Sequence, residues 1–290
     1  MLRIVRILAP NPGVFTLEGT NTWVVGGDPA VVIDPGPEDE THLQAVLRET
    51  GAVGAVLVTH GHPDHAPGAA RLGELAGAPV MAFRPQEGQR RLHDEQLVTA
   101  GSIHLRVLYT PGHTADHVVF LAEGTGAMFT GDNVLGRGTA VIDPSEGDLA
   151  SYLQSLRRMR EARPRVIYPG HGPTVFDAVG KLREYETHRA MREEQVLEAL
   201  AAGMATAQEM VPSIYADVPP ELHPIAVRQV LAHLGKLEHE GRLSRSGNDD
   251  DARFELITVR PCERCGRPAM PRSRLCRRCS LDALQETPKS

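Results

Sequence analysis

This 290-residue chain lacks several things, and each absence removes a class of protein. No apolar run approaches the roughly 18 residues needed to span a bilayer, so a helical membrane anchor is excluded within these residues. The start, MLRIVRILAPNPG, has basic residues, but Pro10 and Pro12 cut its apolar stretch at once, and it does not read as a secretory leader. No cysteine precedes Cys262, so a disulfide framework spread through the fold is excluded. There is no internal repeat and no long low-complexity segment. A cytoplasmic protein that does not engage membranes is expected, and nothing in the sequence excludes a homo-oligomer.

A hydrophobic fraction of 41% with 23% charged residues suits a globular protein with a sizeable core. The length suggests one large domain plus a smaller one. All four cysteines, Cys262, Cys265, Cys276 and Cys279, form two CxxC pairs in a short stretch, a spacing that one tetrahedral zinc ion can close. Residues 260–279 hold seven arginines against Glu263, a charge of +6, leaving −12 on the rest of a chain whose total is −6. The body is acidic and the tail basic. Arginine without lysine favours planar, bidentate contacts such as those made to phosphate.

Up to about residue 180 two periodicities alternate. Thr20–Val25 and Ala30–Ile33 read as a hairpin, Leu43, Val46 and Leu47 mark a helix, and Val53–Val58 fits a buried strand. A helix near 69–75, strands at 79–83 and 103–109, a hairpin over 118–130, a helix from Leu149 and a strand at 166–168 follow. Such mixing predicts layered α/β packing. After about residue 185, segments at 194–202, 206–210 and 224–240 read as helices, and 242–245 with 253–257 as a hairpin, an arrangement of winged-helix type. The expected domains are therefore 1–183, 184–259 and a basic tail over 260–290.

The chemistry sits where strands end. THGHPDH places His60, His62, Asp64 and His65 within six positions just after a strand, and His113, Asp132 and His171 each follow another. Neutral imidazole and ionised carboxylate are ligands for divalent first-row metals. His60 and His62, two apart on extended chain, can hold one ion. Asp64 and His65, beyond a proline, can face a second ion, and His113, Asp132 and His171 would complete both shells, with Asp132 able to bridge. Asp116 and His117, close behind His113, are candidates for hydrogen bonds that orient a ligand. His42, His93, His188 and His239 read as ordinary histidines. The segment from Gly136 to Asp143 is expected at the entrance of the site.

These motifs resemble the metallo-β-lactamase superfamily: HxHxDH stands at His60, His62, Asp64 and His65, and the downstream motifs at His113, Asp132 and His171. The resemblance covers roughly residues 1–180 and extends to Asp34 in VIDPG, matching the aspartate that supports the metal loop. It implies a four-layer αββα sandwich with two zinc ions at one edge, the first on His60, His62 and His113, the second on Asp64, His65 and His171, with Asp132 bridging. The antibiotic-hydrolysing branch has cysteine where Asp132 stands, and the flavodiiron branch has glutamate where His62 stands. Hydrolysis other than of lactams is therefore implied, by a metal-bridging hydroxide that Asp64 orients as the catalytic residue.

NPGVFTLEGTNTWVVG, GDNVLG and the winged-helix-like region resemble the lactamase-like group that includes a single-strand endoribonuclease; the same N-terminal pattern occurs in thioesterases that release polyketides from carrier proteins. The resemblance and the basic tail together favour a phosphodiesterase acting on single-stranded RNA. A thioesterase of acyl-carrier or glutathione-type thioesters is the alternative, and a non-enzymatic nucleic-acid-binding regulator a third reading. The third helix of the winged region mixes Arg228, Lys236, Glu238 and Glu240, and Asp249 to Asp251 would repel a duplex, so packing beside the active site is expected there rather than sequence-specific DNA binding.

Overall fold

The computed structural model describes residues 2–248, 252–257 and Arg264. The four cysteines, and with them the expected tail zinc, lie outside the described residues. The chain forms two compact units that divide between Met191 and Arg192.

The first unit is built on two sheets. One has the order β1 (Ile4–Leu8), β2 (Asn21–Gly26), β3 (Ala30–Ile33), β4 (Val53–Leu57), β5 (Val80–Ala82), β6 (Arg90–Arg91). Helix α1 (Glu40–Arg48) joins β3 to β4, and α2 (Gly68–Ala76) joins β4 to β5. These crossovers make β3, β4 and β5 parallel. The second sheet has the order β11, β10, β9, β8, β7, from β7 (Leu97–Ala100), β8 (Ile103–Tyr109), β9 (Val118–Ala122), β10 (Ala127–Gly131) and β11 (Val166–Pro169), with α3 (Leu149–Glu161) joining β10 to the parallel β11.

Period-two alternation decides which face of the first sheet sees what. Trp23, Val25, Val31, Ile33, Ala55 and Leu57 pack with Leu105, Val107, Phe120 and Phe129 of the second sheet in one core. Their neighbours Val24, Val32, Val56 and Val58 turn the other way and pack with Leu43 and Val46 of α1 and Leu72 of α2. Because both faces are covered, β2 and β3 are buried throughout; β3 reads as an unbroken apolar run, while β2 opens with Asn21 and Thr22, whose side chains donate to backbone carbonyls. β1 is an addition to the expected opening hairpin: it pairs antiparallel with β2 from Ile4↔Val25 to Leu8↔Asn21. β7 is a second addition; its alternation is exposed and buried by turns, but over only four residues.

Helix α4 (Ala178–Ala201) starts well before the expected 194. Its first half buries Ala178, Leu182 and Tyr185, together with Arg189, at spacings of four and three, a stripe too narrow and too polar to stand out in the sequence. In the second unit, the end of α4, α5 (Ala207–Ile214), α6 (His223–His239) and the hairpin β12 (Leu243–Ser246) with β13 (Arg253–Leu256) surround one core containing Val196, Met210, Ile214, Val230, Leu234, Leu237 and Phe254. Thr206 and Glu209 form a capping box that starts α5. No helix among the described residues is long and apolar enough to cross a membrane.

Candidate metal centre

Four loops at strand ends carry the seven residues picked out in the sequence. His60, His62, Asp64 and His65 lie between β4 and α2, His113 follows β8, Asp132 follows β10 and His171 follows β11. The first strand belongs to one sheet and the other three to the second, so the loops meet at an edge of the sandwich. They fall into two groups that could each hold a metal ion: His60, His62 and His113, and Asp64, His65, Asp132 and His171, with ligand atoms within 4.8 Å of one another in each. His42, His93, His188 and His239 join neither.

The first loop is fastened from beneath by Asp34. Its Oδ1 accepts from the Thr59 amide at 2.8 Å, and its Oδ2 from the Thr59 hydroxyl at 2.7 Å and from His65 Nδ1 at 2.9 Å. Asp34 is 2% exposed and sits at a φ of 50°, a left-handed conformation that aspartate tolerates better than most residues. Gly170, in the loop of His171, is required by close approach: a Cβ there would stand 2.5 Å from Asp132 Oδ1 and 2.7 Å from His65 Cε1.

Every imidazole in the two groups is held by its outward nitrogen. His60 Nδ1 is 3.0 Å from the Thr59 hydroxyl, His113 Nδ1 donates to the Val141 carbonyl at 2.7 Å, and His171 Nδ1 to the Gly19 carbonyl at 3.2 Å. His65 Nδ1 meets Asp34, and His62, turned the other way, presents Nε2 to Glu146 Oε2 at 2.8 Å. The inward nitrogens therefore converge as electron-pair donors. His62 Nδ1 is 3.0 Å from His60 Nε2 and 3.1 Å from His113 Nε2, and His65 Nε2 is 3.2 Å from His171 Nε2. Ligands about 2.0–2.1 Å from a tetrahedral zinc ion stand about 3.3 Å apart, so these spacings suit a shared cation. Lone pairs facing one another at this distance repel unless a cation or a proton lies between them.

Carboxylates complete the second group. Asp64 Oδ2 lies 3.1 Å from His171 Nε2 and 3.5 Å from His65 Nε2. Asp132 Oδ1 is buried without a hydrogen-bond partner, although His65 Nε2 is 3.3 Å away, and its Oδ2 lies 3.4 Å from His171 Nε2 and 3.9 Å from His113 Nε2, facing both groups. An orphaned carboxylate oxygen among converging nitrogens fits a bound cation.

Charge divides the two groups. Burial pushes the pKa of His60 well below its usual value and that of His113 down as well, so both are neutral. Burial opposes a proton on His65 too, but Asp132 and Asp34 outweigh it and raise its pKa well above normal; His171 rises to about 9, since Asp132 and Asp64 outweigh burial there. Burial works against charge on Asp132 and Asp64, yet the two imidazolium rings hold both carboxyls below the usual range.

His117 lies outside both groups, stacked on the His60 ring at 4.9 Å, and its Nε2 accepts from the Asp132 amide at 3.3 Å. Asp116 Oδ2 accepts from the Gly61 amide at 3.1 Å and its Oδ1 from the Thr114 hydroxyl at 2.7 Å, tying the loop of His60 to that of His113. Glu146 and the Gly19 and Val141 carbonyls were invisible to sequence reading, since a polar turn and two backbone oxygens carry no spacing signal.

A cleft of about 620 Å³ opens onto His62, Asp64, His113 and Asp132. Phe15, Leu135, Ala140 and Val141 give it apolar walls, Asp143 and Glu146 add negative charge, and among the described residues no lysine or arginine lines it. The segment from Gly136 to Asp143 thus contributes to the entrance, as expected. Buried side chains hold it: the Tyr185 hydroxyl accepts from the Leu135 amide at 2.9 Å and donates to the Gly138 carbonyl at 3.0 Å, and Arg189 donates to the Ala140 carbonyl.

Comparison with known proteins agrees with this geometry. The metallo-beta-lactamase superfamily matches residues 15–89 and 80–171, and the beta-lactamase associated winged helix domain matches residues 206–252. A Drosophila melanogaster protein named beta-lactamase-like protein 2 homolog is 36% identical, over 86% of this chain and 92% of its own length. An atrochrysone carboxyl ACP thioesterase of Aspergillus chevalieri is 38% identical, over 88% and 84%. The crystal structure of a beta-lactamase domain protein from Burkholderia ambifaria is similar in fold, with a TM-score of 0.75 at 24% identity over 88% of this chain and 91% of that one. The chain belongs to the metallo-β-lactamase superfamily of hydrolases and carries that family's associated winged-helix domain.

Proposed function

We propose that the protein is a binuclear zinc hydrolase of thioesters with an apolar acyl group. The observation that carries this reading is the cleft beside the metal groups: apolar walls, Asp143 and Glu146 in addition to the candidate ligands, and among the described residues no lysine or arginine. A strand of RNA brings a phosphate every residue, and Asp143 and Glu146 would oppose those flanking the scissile one. An acyl thioester brings a neutral carbonyl and an apolar chain. The similarity to the Aspergillus chevalieri thioesterase supports the same reading.

His60, His62 and His113 would hold one ion and Asp64, His65 and His171 the other, with Asp132 between them. Two bound divalent ions supply water acidic enough to ionise near neutrality and polarise the bond under attack. The chain's own contribution is placement. Asp64 lines the cleft and offers a carboxylate acceptor to a proton of the attacking water. Phe15, Leu135, Ala140 and Val141 remove the acyl chain from water, worth about 0.8 kcal/mol per methylene, so KM falls by up to about fourfold per added carbon until the cleft is full. In the tail, Cys262, Cys265, Cys276 and Cys279 would close a separate structural zinc site.

Cleavage of single-stranded RNA is the second reading, favoured by the +6 charge over residues 260–279. One panel separates the two. The purified full chain is offered acyl thioesters of increasing chain length, single-stranded RNA and a cyclic nucleotide, beside Asp64→Ala, with elemental analysis of the metal. Thiol release that improves with acyl length and vanishes in Asp64→Ala is expected. RNA cleavage without thiol release would overturn the thioester reading in favour of the second.

A further inference from the structure

We propose that Glu146 is a positioning residue for the three-histidine group: by accepting the Nε2 proton of His62 it turns the Nδ1 electron pair toward the point shared with His60 and His113. His62 is the one imidazole of the five that faces its group through Nδ1, and Glu146 Oε2 is 2.8 Å from its outward nitrogen. The opposite tautomer would set an electron pair against the carboxylate and aim an N–H at two neighbouring nitrogens. The acceptors for the other four rings are parts of the interior or backbone oxygens; the Glu146 side chain is 56% exposed. Its position must therefore come from the turn that carries it.

That turn is closely fastened. The Ser145 amide and hydroxyl donate to Asp143 Oδ1 at 3.0 and 2.8 Å, and the Glu146 and Gly147 amides donate to the Asp143 carbonyl at 3.0 and 2.7 Å. The Asp148 amide then donates to the Gly112 carbonyl at 2.9 Å, next to His113, and the Asp148 side chain caps α3 through the Ser151 amide at 2.6 Å. Gly147 is required there, because a Cβ would stand 2.1 Å from the Gly112 carbonyl oxygen. The turn is clamped between the loop of His113 and α3, and it holds an exposed carboxylate over His62. A carboxylate on the far nitrogen of a ligating histidine fixes its orientation and raises its basicity, and losing one weakens metal binding by about 10- to 100-fold.

The proposal rests on the metal reading but is independent of the substrate. Its test is competition for zinc between the full chain and a chromogenic chelator, with no substrate present, and with melting of the chelator-treated proteins as a check on folding. Wild type is expected to hold two ions in the catalytic site. Glu146→Ala should weaken one of them by about 10- to 100-fold, and Glu146→Gln, which keeps an acceptor oxygen, should recover most of the loss. Equal affinity of wild type and Glu146→Ala overturns the proposal. So does an equal loss in both variants, since negative charge near the cleft would then matter rather than the acceptor. Failure of wild type itself to retain zinc overturns the metal reading and this proposal together.

Discussion

Two clusters of acids and bases, one in each unit, look alike on paper and differ in how their members meet. Around Glu193 in the second unit, the Lys236 ammonium donates to Oε2 at 2.7 Å and the Arg242 guanidinium to Oε1 at 3.3 Å, while Lys236 also reaches Glu240 at 2.8 Å. Donors face acceptors, and the His233 ring and Lys236 hold the Glu193 carboxyl down to about 2 against its burial. In the first unit, nitrogens face nitrogens at about the separation of ligands on one ion, and Asp132 Oδ1 faces them without a hydrogen bond. The first arrangement is complete as it stands; the second is complete only with added positive charge. The orientation of lone pairs, more than the count of ionisable groups, separates a structural cluster from a working one.

The largest expected effect that would test this contrast is at Asp64. Asp64→Ala should lower kcat/KM on the best substrate by about 10²- to 10⁴-fold while the melting of the second unit stays put; wild-type turnover in the variant would remove Asp64 from its role. Next is Asp34→Asn. Asparagine tolerates the φ of 50°, so the change isolates the lost carboxylate, and zinc affinity read by chelator competition should fall by about 10- to 100-fold. Unchanged affinity would mean that His65 needs no help from below.

Glu193→Gln probes the other side of the comparison. A carboxyl whose folded pKa is depressed contributes stability that is present above its unfolded value, about 4.3, and is lost as pH falls toward 2. With a side chain about one-fifth exposed, the loss at pH 7 should be on the order of 2 kcal/mol, seen by urea denaturation, and the gap from wild type should close as pH drops below about 4.3. Turnover of the folded variant should not change. The smallest signal is protonic. Zinc entering the catalytic site of the chelator-treated protein at pH 7 should release at least about two protons, those of His65 and His171, measured as the dependence of binding heat on buffer ionisation in a variant whose four tail cysteines are serine. The release should diminish as pH rises through about 9, the value to which His171 is raised.

How much of this was legible in the chain depended on distance along it. HGHPDH declares itself because four ligand types crowd one turn, and His113, Asp132 and His171 share a rule: each lies just past an apolar run that reads as a strand. Asp34 was recognised by resemblance alone, and its contacts to Thr59 and His65 became visible only in three dimensions. Strands β2, β3, β4, β8, β9 and β10 were readable because covered faces demand apolar residues. β1 and β7 were not, because no residue of β1 is fully buried and half of β7 is exposed. The first half of α4 was hidden because its buried stripe ends on an arginine.

The sequence by itself determined the fold class, the ligand chemistry and the absence of cysteine among the candidate ligands, because residue type and period are local properties written along the chain. Only the tertiary structure decided that Asp132 Oδ1 is buried among the inward nitrogens, that Glu146 stands over His62, and that the cleft has apolar walls and, among the described residues, no lysine or arginine. The physical reason is convergence: Phe15, Leu135 and Val141 share no period and no neighbourhood in the chain, and an imidazole shows which nitrogen it offers only when something binds the other.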